Sequence, residues 1–358
     1  MLTLVTGGSG LLGHCLVHRL LARGDRVRVV DLVPPREAPA GAVEFRRGDL
    51  RDADLVRAAC AGVDTIHHLA ALQRMKAHEL RLSERGVFDA NVAATTNVLA
   101  NALATGVRKV VHVSSSGVYG VPRTVPVTED HPQRPIGSYG RSKVRSEELG
   151  REYLERGLDV TMLRPVSLFG PWMKGIFLML FEWVRTGRAA YILGHGRNRV
   201  ELASAWDVAD ASILASERPE SRGEVMHLGS GGVPTVRAQV EALIRHAGSR
   251  SRIVALPAAP VRAGARVLHA LGISPLVPEH YLLADCEYVL DSSRARRVLG
   301  WTPRHTNVSM MNEAYDWYVR TWPAARPEPH PLLRWAGLVP PGSPGDMVAR
   351  GEDAPEGA

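Results

Sequence analysis

Two residues four apart, Tyr139 and Lys143, stand in the run Tyr139-Gly140-Arg141-Ser142-Lys143. On a helix that spacing puts both side chains on one face. An ammonium beside a phenol favours the phenolate and draws its proton affinity toward neutral pH. A phenol held in this way serves as a general acid or base. The pair alone is common by chance. It gains meaning from the serine-rich segment upstream, Val113-Ser114-Ser115-Ser116-Gly117-Val118-Tyr119-Gly120, which closes a predicted strand.

A second cluster lies at the N-terminus, in Thr6-Gly7-Gly8-Ser9-Gly10-Leu11-Leu12-Gly13. Gly8, Gly10 and Gly13 satisfy G-x-G-x-x-G, and Gly7, Gly10 and Gly13 satisfy G-x-x-G-x-x-G. An apolar strand precedes the turn and helical periodicity follows it, the context a dinucleotide site requires. Glycine permits the tight turn, the approach of a pyrophosphate to the backbone, and close packing of helix on strand. The helix N-terminus then offers N–H groups to the phosphates. Gly7, Gly10, Leu11, Leu12 and Gly13 are therefore candidate cofactor contacts. Asp31 ends the second predicted strand, 18 residues beyond Gly13. A carboxylate there accepts from ribose hydroxyls and repels a 2′-phosphate, which favours NAD over NADP. Arg36, close by, pulls the other way. Asp49 follows Gly48 at the end of the third strand. It either accepts from the adenine amino group or caps a helix starting near Asp52.

These residues need a scaffold, and the chain alternates strand and helix signals at the spacing of βαβ units. Strand signals cover 2–6, 26–31, 43–47, 65–70, 109–114 and 159–164, with helical periodicity over 10–23, 88–105 and 139–156. The alternation predicts an α/β fold, a Rossmann-like doubly wound parallel sheet with helices on both faces. After Pro171 the pattern turns irregular, with helical segments at 235–246 and 308–321. The expected domains are 1–170, with 201–231 returning to it, and a smaller C-terminal substrate-binding lobe from 171–200 and 232–322. A Pro- and Gly-rich tail occupies 323–358. Its Leu332, Leu333, Trp335 and Leu338 are suited to pack back on the surface or on a partner subunit.

Composition narrows the classes. The net charge is +7, but the basic residues are scattered and not interleaved with aromatics, which argues against nucleic acid. The excess reads as a solvated surface or as attraction for an anionic cofactor and substrate. Cys15, Cys60 and Cys286 are far apart and form no C-x-x-C, so neither a metal site nor a disulfide framework is expected. No apolar run is long enough to span a bilayer. Gly175 to Val184 reads as a buried or lid helix. The chain opens on a strand, Leu2 to Val5, instead of a charged and then apolar leader. A reducing, cytoplasmic setting is expected.

Taken together, the motifs resemble those of the extended short-chain dehydrogenase/reductase family, the NAD-dependent epimerase/dehydratase type, from Met1 to about Arg320. The marks are the glycine turn, Asp31, Gly48-Asp49-Leu50, His68-Leu69-Ala70-Ala71, Asn91-Val92, the segment around Ser115 and the Tyr139 run. Further marks are Arg164-Pro165-Val166-Ser167-Leu168-Phe169-Gly170-Pro171, Trp206-Asp207-Val208-Ala209 and Leu299-Gly300-Trp301-Thr302-Pro303. The resemblance implies NAD as cofactor, Tyr139 as acid/base and cofactor contact, Ser115 as the hydroxyl on the reacting oxygen, and Lys143 as the group that orients the nicotinamide ribose and tunes Tyr139. It also implies that Asp49, Leu50 and Leu69 to Ala71 line the adenosine and phosphate side, and that Pro165 and Val166 approach the nicotinamide. Members commonly dimerise through a four-helix bundle, here the helices near 88–105 and 139–156.

Within that family, dehydratases carry Asp-Glu directly after the catalytic Ser/Thr, where this chain has Ser116 and Gly117. Decarboxylases carry Glu at the position of Gly117. Dehydration and decarboxylation are thus disfavoured, leaving epimerisation through a transient ketone, or net oxidation or reduction. Nucleotide-sugar members usually have Asn where Ser167 stands. The run Gly194 to Leu202 resembles the 3β-hydroxysteroid dehydrogenase branch, whereas Val127-Thr128-Glu129-Asp130-His131-Pro132 is closer to sugar epimerases. Arg197 and Arg199 either hold a diphosphate or lie in a solvated loop. Ser116, Ser167 and Arg199 are the candidate substrate contacts. The favoured substrate is a nucleotide sugar. The alternative is a bulky hydrophobic alcohol, suited to the apolar run Ile176 to Phe181 unless that run is core. A non-catalytic NAD(H)-sensing protein is the reading from another class, opposed by the retention of Ser115, Tyr139 and Lys143.

Overall fold

The structure is a computed structural model and describes residues 1–35, 37–38, 41–73, 83–170, 173, 177–270 and 278–321. Arg36, Pro171, Ile176 and the 323–358 tail lie outside the described residues. Two compact units are present.

Unit 1 comprises Met1–Phe169, Arg199–Val233 and Cys286–Asn307. It opens with β1 (Leu2–Thr6), α1 (Leu11–Ala22), β2 (Arg26–Asp31), β3 (Val43–Arg47), α2 (Ala53–Cys60) and β4 (Thr65–His68). Next come α3 (Glu84–Ala104), β5 (Lys109–Val113), α4 (Ser138–Glu155) and β6 (Val160–Pro165). The seven-stranded sheet runs Val225–Leu228, β6, β5, β4, β1, β2, β3, and every pairing is parallel. The order reverses between β1 and β4, where Thr6 stands opposite His68. A crevice at such a reversal, beyond the strands' carboxyl ends, is the usual ligand position in open α/β sheets.

The helices follow from the chain's own chemistry. Asp52 caps α2, accepting from the N–H groups of Asp54 and Leu55. Ser83 caps α3 by accepting from Gly86 N at 3.1 Å. One side of the sheet buries Leu4, Ile66, Val110, Val160 and Met162 against Val56 of α2, Val98 and Leu99 of α3, and Leu149 of α4. Each such side chain contributes about 1.5–3 kcal/mol on burial.

The segment Cys286–Asn307 corrects the expected boundary, which assigned 232–322 to the smaller lobe. These residues belong to unit 1. Isolated bridges pair Leu290 with Val127 and Tyr288 with Val200. Trp301 Nε1 donates to the Asp207 carbonyl, and Asp207 accepts from the N–H groups of Arg304 and His305. Such ties are single contacts between distant residues and leave no periodic trace in sequence.

Unit 2 comprises Gly170–Asn198, Pro234–Asp285 and the chain from Val308. Its strands Ala190–Leu193 and Ile253–Leu256 pair in parallel, and the helix Val236–His246 buries Val240 against Ala190 and Ile192. The apolar run expected as core or substrate surface forms the helix Phe177–Arg185. Its Phe181 is fully buried and packs edge-on to Tyr315. Phe181 is a core residue of its own unit.

Candidate active site

The glycine turn is shaped by contacts that exclude side chains. Gly7 has φ +74°, and a Cβ there would lie 2.7 Å from Ala70 N. A Cβ on Gly13 would lie 2.2 Å from the Gly7 carbonyl oxygen. Gly10 differs: its Cβ would meet only that oxygen, at 3.4 Å. Gly10 is also the N-cap of α1, and no side chain caps this helix. The first turn of α1 therefore presents its N–H groups to a cleft with room above Gly10. That arrangement fits a pyrophosphate.

Gly7, Gly10, Asp31, Asp49, Leu50 and Leu69 to Ala71 line this one cleft. Leu12 and Gly13 are buried beneath it and Leu11 is half-buried. Asp31 Oδ2 accepts from Ser9 N at 3.0 Å, and Oδ1 from Leu32 N at 2.7 Å. Asp49 holds Arg51 through its carboxylate, and that hydrogen bond keeps its pKa below the usual value. Its alternative as a helix cap falls to Asp52. The fit of the cleft to a dinucleotide rests on the side-chain-free cradle at Gly10 and the carboxylate at Asp31.

At the next strand end, α4 presents Tyr139 and Lys143 to the end of β5. Gly140 lets the helix approach, since a Cβ there would lie 2.7 Å from the Gly117 carbonyl. Ser115 Oγ accepts from Gly117 N at 3.0 Å, starting the short 3₁₀ turn Ser116–Val118. Lys143 is buried and its Nζ donates to the Val113 carbonyl at 2.6 Å. The same Nζ lies 5.8 Å from the centre of the Tyr139 ring.

Burial raises the Tyr139 pKa, opposed by hydrogen bonds to Gln73 and Ser115. This corrects the expectation from spacing, in which Lys143 draws the phenol downward. The ammonium is spent on Val113, and burial is the larger effect. Burial also pulls the Lys143 ammonium down to about 8, against the opposing charge of Glu147. Gly117 adjoins the pair: a Cβ there would stand 3.3 Å from Ser115 Oγ and 3.9 Å from Tyr139 Cε1.

Pro165 ends β6, and Val166 N donates to the Leu228 carbonyl. Both are buried. Ser167 is exposed on the short strand Ser167–Phe169, which pairs with Leu202–Ser204. Ser116 is buried, and its carbonyl accepts from the Tyr288 hydroxyl at 2.7 Å. Arg199 donates to Glu287 through both its backbone N–H and its guanidinium. Tyr288 N in turn donates to the Arg199 carbonyl at 2.8 Å, so Arg199 is tied to the Ser116 turn through Tyr288. Arg197 is exposed in unit 2.

Of the residues that complete the site, Asn91 is among the sequence marks, whereas Gln73 and Glu147 have no motif of their own. Gln73 bonds the phenol. Asn91 accepts from Leu72 N and donates to Ser142 Oγ, fixing the cleft wall to α4. Glu147 sits one turn beyond Lys143, and that four-residue repeat is the one signal that points to it.

The family model described as "NAD dependent epimerase/dehydratase family" matches residues 3–229. UDP-glucose 4-epimerase of Mycolicibacterium smegmatis is 32% identical, covering 85% of this chain and 94% of that protein. Sterol demethylase protein B of Methylococcus capsulatus is also 32% identical, covering 89% of this chain and 98% of that protein. A double mutant of DesIV, a dTDP-glucose 4,6-dehydratase from Streptomyces venezuelae solved with NAD and DAU bound, superposes with a TM-score of 0.72. It is 27% identical and covers 90% of this chain and 98% of that one. With the Rossmann-like sheet, the glycine cradle and the Ser115–Tyr139–Lys143 cluster already in place, these matches identify the chain as a member of the NAD-dependent epimerase/dehydratase family, an enzyme of the extended short-chain dehydrogenase/reductase type that uses NAD.

Proposed function

We propose that this enzyme interconverts a secondary alcohol and a ketone on a nucleotide sugar, as an epimerase or a net oxidoreductase, without elimination or decarboxylation. The observation that carries the reading is the surroundings of Tyr139. Its phenol faces a serine hydroxyl and a buried ammonium stands behind it. The adjoining position, 117, has no side chain where an acid for elimination would stand.

NAD bound in the cleft supplies the acceptor and donor of hydride. Tyr139 takes the carbinol proton and returns it in the reverse direction. Ser115 Oγ already accepts from Gly117 N, so its own hydrogen is directed outward to the phenol oxygen or the substrate oxygen. Lys143, fixed on Val113, keeps a positive charge near the phenol as it loses its proton. Ser116, Ser167 and Arg199 contact the substrate. The Arg199–Glu287 pair is half-exposed, and such pairs are worth about 0–1 kcal/mol. Exchanging Glu287 for a diphosphate is therefore inexpensive.

A second reading, a bulky hydrophobic alcohol, is favoured by Ser167 in place of asparagine and by the sterol demethylase relative. The discriminating experiment is incubation with UDP- and dTDP-sugars, following isotope exchange at C4 and C5. Exchange with one sugar supports the first reading. No exchange with any sugar, alongside NADH formation from a lipophilic alcohol, replaces it with the second.

The assembly in this reading is a homodimer through α3 and α4, which pack together. Their outward charges include Arg145, which pairs with Glu148 and Glu152 of its own chain. Light scattering at micromolar concentration checks the stoichiometry. Cys15 and Cys60 are buried and Cys286 is half-buried, which suits a reducing, cytoplasmic setting. No helix among the described residues is long and apolar enough to cross a membrane.

A further inference from the structure

The face of α4 that carries Tyr139 and Lys143 continues one turn further, to Glu147. Three successive turns of the helix meet three successive residues at the end of β5. Tyr139 faces Ser115, Lys143 Nζ donates to the Val113 carbonyl, and Glu147 Oε1 accepts from Ser114 Oγ at 2.6 Å. Ser114 stands between the residue that holds the lysine and the residue that meets the phenol.

Glu147 is fully buried. Arg164 of β6 grips it with two parallel bonds, Nε to Oε1 at 2.7 Å and a terminal guanidinium nitrogen to Oε2 at 2.6 Å. Besides Ser114, Gln133 donates to it at 3.0 Å, and the half-exposed Arg151 lies on Oε2 at 3.4 Å. A bidentate guanidinium fixes the carboxylate in orientation as well as position. Arg164 is itself held by the Glu129 carbonyl and the Tyr119 hydroxyl.

We propose that Glu147 is a positioning residue for the reaction: its carboxylate fixes the strand end that carries Ser115 and supplies the counter-charge for the Lys143 ammonium. The inference rests on the reading of Ser115 and Tyr139 as the reacting pair. Among the described residues, the charged and titratable groups facing Lys143 are few. His68 of β4 and His112 of β5 are buried and lowered, hence neutral. Tyr139 is a neutral phenol at rest. Arg164 is paired to Glu147. From α3 come Asn91 and Thr95, which carry no charge. Glu147 is thus the anion that offsets the burial of Lys143. Without it, two buried cations, Lys143 and Arg164, would lack a counter-ion.

The test of the counter-charge role needs neither substrate nor cofactor. The chain contains four lysines, Lys76, Lys109, Lys143 and Lys174. Protein labelled with ¹³C at lysine Cε gives four signals, and loss of one in Lys143→Met assigns it. In the parent, the Lys143 signal titrates near pH 8. In Glu147→Gln its midpoint falls by at least about one pH unit, while Lys109, paired with Asp159, stays put. Glu147→Asp keeps the charge and leaves the midpoint close to the parent's. Should Glu147→Gln not fold, the double variant Glu147→Gln, Arg164→Gln removes both buried charges and lowers the midpoint by less, because loss of the Arg164 cation works in the opposite direction and Glu147 lies one helical turn from Lys143. An unmoved Lys143 midpoint in whichever of these folds overturns the counter-charge role. Ser114→Ala tests the other half: kcat falls severalfold with the lysine midpoint unmoved. Unchanged kcat in that variant overturns the strand-anchoring role. Because the titration is measured on the free protein, its outcome stands even if the proposed reaction fails.

Discussion

The dinucleotide cleft and the turn that carries Ser115 are built by different means. The cleft is shaped by backbone and absent side chains at its glycines, with the Asp31 carboxylate beside them, and is drawn mainly from the first 72 residues. The turn at Ser115 is held by side chains that arrive from far along the chain: Tyr288 on the Ser116 carbonyl, and Glu147 and Arg164 behind Ser114. Steric rules govern the first, and buried hydrogen bonds and charges govern the second. The cofactor half should therefore break on added volume, and the catalytic half on removed polar atoms.

The largest effect is expected on the catalytic half. Tyr139→Phe deletes one oxygen and should lower kcat by roughly 10²–10⁴-fold. NAD affinity, measured calorimetrically, should be unchanged, because the cradle lies elsewhere. A parallel loss of NAD binding would erase the distinction between the halves.

Next comes the sheet that both halves share. His67, His68 and His227 are buried, and burial lowers each to about 3. In the unfolded chain they protonate near pH 6.5. Between those values the unfolded state binds protons that the folded state refuses. Stability is then fully present above about pH 6.5 and is lost as pH falls, at up to about 1.4 kcal/mol per histidine per pH unit. Calorimetry should show Tm dropping steadily below pH 6.5, and a Tm flat down to pH 5 would contradict the burial of these rings.

The smallest effects separate two glycines. Gly13→Ala forces a methyl against the Gly7 carbonyl and should destabilise the protein by about 1–3 kcal/mol. Gly10→Ala has space for the methyl, so Tm should hold while NAD affinity falls, since the methyl occupies the phosphate approach. Equal destabilisation by both would show that Gly10 also serves packing.

Legibility in the sequence follows the same division. The turn Gly7 to Gly13, Asp31 and the strands β1 to β6 obey local rules of spacing and backbone geometry. They can be placed within a residue or two from the chain alone. The pairing of Arg199 with Glu287, 88 positions away, cannot. Nor can the return of 286–307 to unit 1, which rests on isolated bridges and on Asp207 accepting from distant N–H groups. The bond from Gln73 to the phenol is hidden for the same reason. The effect of Lys143 on Tyr139 escapes the sequence because spacing shows which face a residue shares. It does not show which acceptor the ammonium takes.

Asp31 carries a consequence for anyone redesigning this enzyme. Its two carboxylate oxygens bond the backbone of Ser9, inside the glycine turn, and of Leu32. The residue proposed to read the cofactor's ribose is thus also a staple of the glycine turn. Replacing it to admit a 2′-phosphate would unfasten that loop in the same stroke. A change of cofactor preference here is a two-site rebuilding problem: the new residue at 31 needs a companion change that re-anchors Ser9.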